Sequence, residues 1–288
     1  MYALNPNRIK TGTVRRSAIT NSTRGSVGFL FPRTPSGEAS LLRPPPWHYS
    51  GVMLTIEYLA EPGAVAALLP APLEPVADRP DAVAAIWAEW QCCSGSGVEL
   101  LDPVRTQYKE CLLVVRCRWR GRDWSRCVFI WVDSDSSLVR GHFQGYPKKL
   151  GEIWMTRPAL IGQAGPRLAP GGRFGATVAA GSRRLMEAEF TITGEAEGAG
   201  FVNAHPMLHH RLMPAVEPGG GDALHELVEV ASSDVELGTT YTGDATLRVF
   251  PSPTEELLSL APREVLGGFW RRVGFTFRGG RTLARGED

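Results

Sequence analysis

The sequence predicts an α+β fold in one domain, mainly antiparallel β with a few short helices. Three observations predict it. Apolar and polar residues alternate through "GVMLTIEYLAE", "RFGATVAA", "LMEAEFTIT" and "ATLRVF", as in half-buried strands. Helical patterns are confined to short stretches bounded by proline and glycine. No internal repeat and no linker divides the chain, so a single β-rich domain accounts for it.

With 288 residues, 43% of them hydrophobic, the chain can bury a sizeable core. Thirty-one basic residues against thirty acidic ones leave a formal charge of +1. Such a balance creates no field for nucleic acid or an anionic membrane, so a small-molecule partner is expected. Five cysteines, two of them adjacent and none in a CxxC, fit neither a disulfide framework nor a zinc site. A reducing cytoplasm is the expected location. No apolar run reaches the ~18 residues of a membrane-spanning helix.

Residues 1–44 are read as a basic, disordered leader and 45–282 as the folded domain. The first 37 residues carry Arg8, Lys10, Arg15, Arg16, Arg24 and Arg33 without one acid. Organelle transit peptides share that composition, but no hydrophobic face or cleavage signal accompanies the charges. "RPPPW" closes the leader, because consecutive prolines enter neither helix nor central strand. A strand follows near Trp47, then a short helix opened by Pro62 and stopped before Pro70. "YKECLLVVRCRWRGRDWSRCVFIWVD" reads as a hairpin turning at Gly121. Asp135 or Ser136 can cap a short helix that Gly145 ends, which puts Tyr146, Pro147, Lys148 and Lys149 on a turn behind its C-terminus.

The pair Lys148-Lys149 is the only Lys-Lys dipeptide in the chain. A solvated turn explains it at no cost. Amine chemistry would require a neutral lysine, and the ordinary pKa of ~10.4 leaves only about four in ten thousand uncharged at pH 7. Disfavouring the ammonium by roughly 4–5 kcal/mol takes an apolar pocket or a neighbouring cation. Phe143, Tyr146, Leu150, Ile153 and Trp154 flank the pair and could wall such a pocket.

"YPKKLG", behind "WVDSDSS" and a short helix, resembles the active-site segment of the acetoacetate decarboxylase family. "LLPAPLEP", "SGSG" followed by "QYKE", "PMLHHRLMP" and "TGDATLRVFPSPTEELLSLAPREVLGG" are similar to further family segments in the same order. The resemblance implies a β-barrel or cone, with Lys148 as the imine-forming residue and Lys149 as the adjacent lysine that keeps it neutral. Glu110 corresponds to the pocket carboxylate that moves protons. Gln144 and Tyr146 would orient a carbonyl, with His142 and Trp154 as further substrate contacts. His142 otherwise reads as an exposed helix position. No metal, nucleotide or flavin is required, and a homo-oligomer is expected.

Two departures bear on the reaction. The arginine and second glutamate that decarboxylases hold near the substrate fall on Gly51 and Ile86, and Glu89 lies three residues on, facing the other way in a strand. Gln144 resembles the glutamine of the family's aldolase-dehydratase branch, whereas the C-terminal tyrosine of that branch has no match near Phe275 and Phe277. Condensation and dehydration of a 2-oxo acid is therefore favoured. Decarboxylation of a 3-oxo acid, or a β-barrel that binds a small molecule without catalysis, are the alternatives.

Overall fold

The computed structural model describes residues 26–286. Most of the predicted leader, residues 1–25, lies outside them. Residues 26–41 belong to a unit of their own, in which Val27 and Thr34 form an isolated antiparallel bridge. The unit from Leu42 onward carries all fifteen named strands.

That unit opens with β1 (Trp47–Leu59), α1 (Pro62–Ala67), β2 (Glu74–Pro75) and β3 (Ala82–Ser94). A 3₁₀ turn leads to α2 (Pro103–Thr106), then to the hairpin of β4 (Gln107–Trp119) and β5 (Arg122–Val132). α3 (Asp135–Gln144), β6 (Lys148–Leu150) and β7 (Glu152–Met155) follow. Next come β8 (Arg173–Ala180), β9 (Arg183–Ala196), β10 (Met207–Pro214), β11 (Asp222–Val230) and β12 (Ser233–Leu237). β13 (Thr240–Val249), β14 (Glu264–Phe277) and β15 (Arg281–Arg285) complete the chain. The predicted strands are all present, and the hairpin turns on Arg120 and Gly121, both at positive φ. One sheet runs β15-β11-β10-β5-β4-β3-β1-β14-β13-β9-β8-β7. It is almost wholly antiparallel; β6 and β10 pair in parallel with β5.

The two faces of the central strands have different fates. Leu54, Ile56, Trp87, Cys111, Leu113, Trp131 and Trp270 point to one side and form the main core with Phe190 and Met186. The alternate residues Tyr49, Gly51, Trp90, Tyr108 and Glu110 point to the other side, over which α3 packs. Gly51 lies opposite Trp90, and a side chain there would overlap the indole. Glycine at this position thus leaves room for the Trp90 ring beside β1.

Two local expectations are corrected. Ser134, not Asp135 or Ser136, caps α3, its hydroxyl accepting from the Ser137 N–H. The lysine pair sits in β6, not on a turn: Gly145, at φ 87, ends the helix, and the chain then becomes extended beside β5.

Candidate active site

Register fixes where the two lysines point. Lys148 pairs with Ile130 and Lys149 with Trp131, so consecutive residues of β6 face opposite sides of the sheet. Lys148 enters the side of Glu110 and is only 7% exposed. Its Nζ donates to Glu110 Oε2 at 3.0 Å and to Ser137 Oγ at 2.9 Å. The other carboxylate oxygen of Glu110 accepts from Trp90 Nε1 at 2.8 Å. Glu110 is thereby held by one neutral and one cationic donor, and its position in mid-strand β4 fixes both contacts.

α3 supplies the roof. Ser137, Arg140, Gly141 and Gln144, spaced three and four apart, are its buried stripe. Gly141 receives the methylenes of Lys148 directly against its Cα. Arg140, 5% exposed, is ringed by Trp47, Tyr49 and Tyr108, its guanidinium carbon 5.4–5.8 Å from their centres. The Tyr49 hydroxyl is within its reach, but Nε and Nη1 are buried without a hydrogen-bond partner. No carboxylate among the described residues pairs with it. Lys148 Nζ lies 5.4 Å from the Tyr108 ring, so the two cations flank one phenol.

Burial pushes the phenols of Tyr49, Tyr108 and Tyr146 up, so all three stay protonated and remain O–H donors at neutral pH. Tyr146 packs on the His209 ring at 4.1 Å and stands 5.7 Å from Lys148 Nζ. His209 itself is buried; its Nε2 accepts from the Cys127 N–H at 3.3 Å, and burial pushes it well below the usual imidazole range.

The structure therefore brings together Lys148, Glu110 and Tyr146, and buries Gln144 on the face of α3 that carries Ser137 and Gly141. It leaves three sequence candidates outside. Lys149 is on the core side, ion-paired with the buried Glu255 and 5.7 Å from the Trp131 ring. His142 is exposed on α3 and bonds through Nε2 to the backbone carbonyl of Lys148 at 2.9 Å, a scaffold contact. Trp154, 64% exposed, lies under Lys109 Nζ and lines a separate cleft of about 800 Å³ with Thr177, Glu187 and Arg248. Glu89 faces away and pairs with Arg157 at 2.7 Å. Ser137, Arg140 and Trp90 were missed. The first two carry a legible signal, since they lie seven and four residues before Gln144 on the same helix face; Trp90 carries none without the strand register.

This open antiparallel sheet, with a buried lysine and carboxylate under one short helix, has the acetoacetate decarboxylase-like fold. Residues 31–286 match the family model described as acetoacetate decarboxylase (ADC), and the chain belongs to that family. Among solved structures, the enduracididine biosynthesis enzyme MppR, complexed with the condensation product of pyruvate and imidazole 4-carboxaldehyde, is 39% identical with a TM-score of 0.86, covering 91% of this chain and 98% of that one. An acetoacetate decarboxylase-like enzyme from Sphingomonas wittichii RW1 is 30% identical with a TM-score of 0.82, covering 90% and 100%. The acetoacetate decarboxylase of Legionella pneumophila, 15% identical at a TM-score of 0.68 over 84% and 89%, shares the fold alone. A comparison with curated proteins gives no match.

Proposed function

We propose that the protein is an imine-forming lyase that condenses a 2-oxo acid with an aldehyde and dehydrates the product. The observation that carries this reading is the unpaired, buried Arg140 guanidinium beside Lys148. A buried cation without a counter-ion is costly unless an anion arrives to meet it, and a 2-oxo acid brings a carboxylate directly next to its reactive carbonyl. Gln144 and the Tyr146 hydroxyl are the neutral donors suited to that carbonyl oxygen. MppR, with structures holding pyruvate and a pyruvate condensation product, supports the same class.

Glu110 takes a proton from the Lys148 ammonium, and the free amine adds to C2 of the oxo acid. Glu110 returns that proton to the carbinolamine hydroxyl, which leaves as water and gives the protonated imine with the Glu110 carboxylate restored. Glu110 then removes a C3 proton, the electron pair moves into the imine, and the resulting enamine carbon attacks the aldehyde. A second water leaves on dehydration, and hydrolysis of the imine consumes one. One oxo acid and one aldehyde thus yield an unsaturated oxo acid and one net water, with Lys148 regenerated. No electron is exchanged with an outside reagent.

Sodium borohydride added with pyruvate tests the first step. A reduced adduct on the peptide carrying Lys148, read by intact mass and peptide mapping, is expected. Its absence with pyruvate and with every other 2-oxo acid tried would refute the reading. Trapping by acetoacetate with CO₂ release at ordinary enzyme rates, about 10 s⁻¹, would favour decarboxylation instead.

A further inference from the structure

Beyond the helix that roofs the lysine, a second cation stands on the same sheet face. Arg271 of β14 pairs with Met53 of β1, Met53 with Ala88 of β3, Ala88 with Glu110 of β4, and all four share one rung across the sheet. The neighbour Trp270 is in the core on the opposite side, so Arg271 projects toward the side of Glu110. It is half-buried, and burial lowers its pKa. Its Nε is buried without a hydrogen-bond partner, and no carboxylate among the described residues pairs with it. Toward Glu110 its neighbours on this rung, Met53 and Ala88, are apolar, and on its other side the β13 register sets Thr240, a neutral side chain, so no strand neighbour next to it offers a counter-charge.

We propose that Arg271 anchors a second carboxylate, so that the acceptor condensed with the oxo acid is an aldehyde bearing its own acid group. This rests on the reaction proposed above. Three interstrand steps put the Cα atoms of Arg271 and Glu110 about 14 Å apart. A separation of that order matches the length of a short carbon chain with a reacting carbon at one end and an acid group at the other. Charge supports the same conclusion: Lys148, Arg140 and Arg271 face a single carboxylate, Glu110, on this rung and the helix above it. One acid on the oxo acid and one on the acceptor would balance them. Arg140 and Arg271 then divide the work, one holding the carboxylate next to the reacting carbon and the other reading the far end of the acceptor.

The test compares succinic semialdehyde with pentanal as acceptors for pyruvate. The wild type should prefer the acidic aldehyde in kcat/KM by about tenfold or more. Arg271→Gln should bring that ratio near one, and Arg271→Lys should restore part of it; melting curves establish that both variants fold. A ratio near one in the wild type, or one that Arg271→Gln does not change, would overturn the proposal. Titration calorimetry with glutarate, which forms no imine, separates this inference from the reaction. If glutarate binding weakens about tenfold in Arg271→Gln while pyruvate traps nothing on the wild type, the anion site stands and the imine reading falls. If pyruvate is trapped but neither glutarate nor the aldehyde ratio responds to Arg271, the anion site falls alone.

Discussion

The Lys148 side chain lies against the bare Cα of Gly141, one turn of α3 above it, and a methyl group there would overlap the lysine methylenes. Gly141→Ala sets two effects against each other. Alanine gains up to about 1 kcal/mol of helix propensity, while overpacking a filled site costs about 1–3 kcal/mol. The second should win: the variant melts lower, and borohydride trapping with pyruvate slows because Nζ is pushed off Glu110 and Ser137. A variant that is more stable and traps at the wild-type rate would show that the roof yields.

Lys149 should prove structural. Its ammonium pairs with Glu255 on the core side, and Glu255 is only 9% exposed. Lys149→Met should leave the site of trapping at Lys148 and destabilise the fold by about 1 kcal/mol, discounted because the lysine itself is half-exposed. Loss of trapping in the variant would restore the role that the resemblance implied for Lys149, keeping Lys148 neutral; an adduct mapped to Lys149 would move the nucleophile itself.

Arg140→Met separates binding from stability. Removing a buried cation that lacks a counter-ion should hold or raise the melting temperature. The concentration of pyruvate needed for half-maximal trapping should rise about tenfold to a hundredfold, with acetone, which has no carboxylate, little affected. Equal losses for both ketones would argue against a carboxylate anchor.

Glu110→Gln keeps an acceptor for Trp90 Nε1 but removes the base. Deuterium exchange at the pyruvate methyl group should fall by about a hundredfold or more, read by NMR in deuterated buffer. Wild-type exchange in the variant would move the proton shuttle elsewhere. If trapping is lost along with exchange, Glu110 acts before the enamine, in forming the imine.

Stability should depend on pH through β10. Burial holds His209 well below the ordinary 6.5 and lowers His210 to about 4, with the Arg126 guanidinium adding to both and His225 adding to His210. Both folded values lie below the unfolded one, so on acidification the unfolded chain binds protons first. Stability from these groups is complete above pH 6.5 and is lost as pH falls toward about 4. Melting temperatures from pH 7.5 to 5 should decline, and the slope should flatten in His209→Gln. An equal slope in that variant would assign the acid loss to carboxylates.

The sequence by itself determined the strand-rich fold, the hairpin at Gly121, the helix ended by Gly145, and the family through "YPKKLG". These follow from local periodicity and turn chemistry, which act over a few residues. It also singled out Lys148, Glu110 and Gln144, because the family resemblance carried them. Tertiary structure decided that Lys149 leaves the site that Lys148 enters: β6 pairs with β5 in one register, and a strand turns consecutive side chains to opposite faces. It decided likewise that Trp154 faces out, that Trp90 lies over Gly51, and that Arg140 of α3 and Arg271 of β14 belong to the same side of the sheet. Those relationships join residues about 20 to 130 positions apart in the chain. Only the pairing of strands distant in sequence brings their side chains together, and no local pattern encodes that pairing.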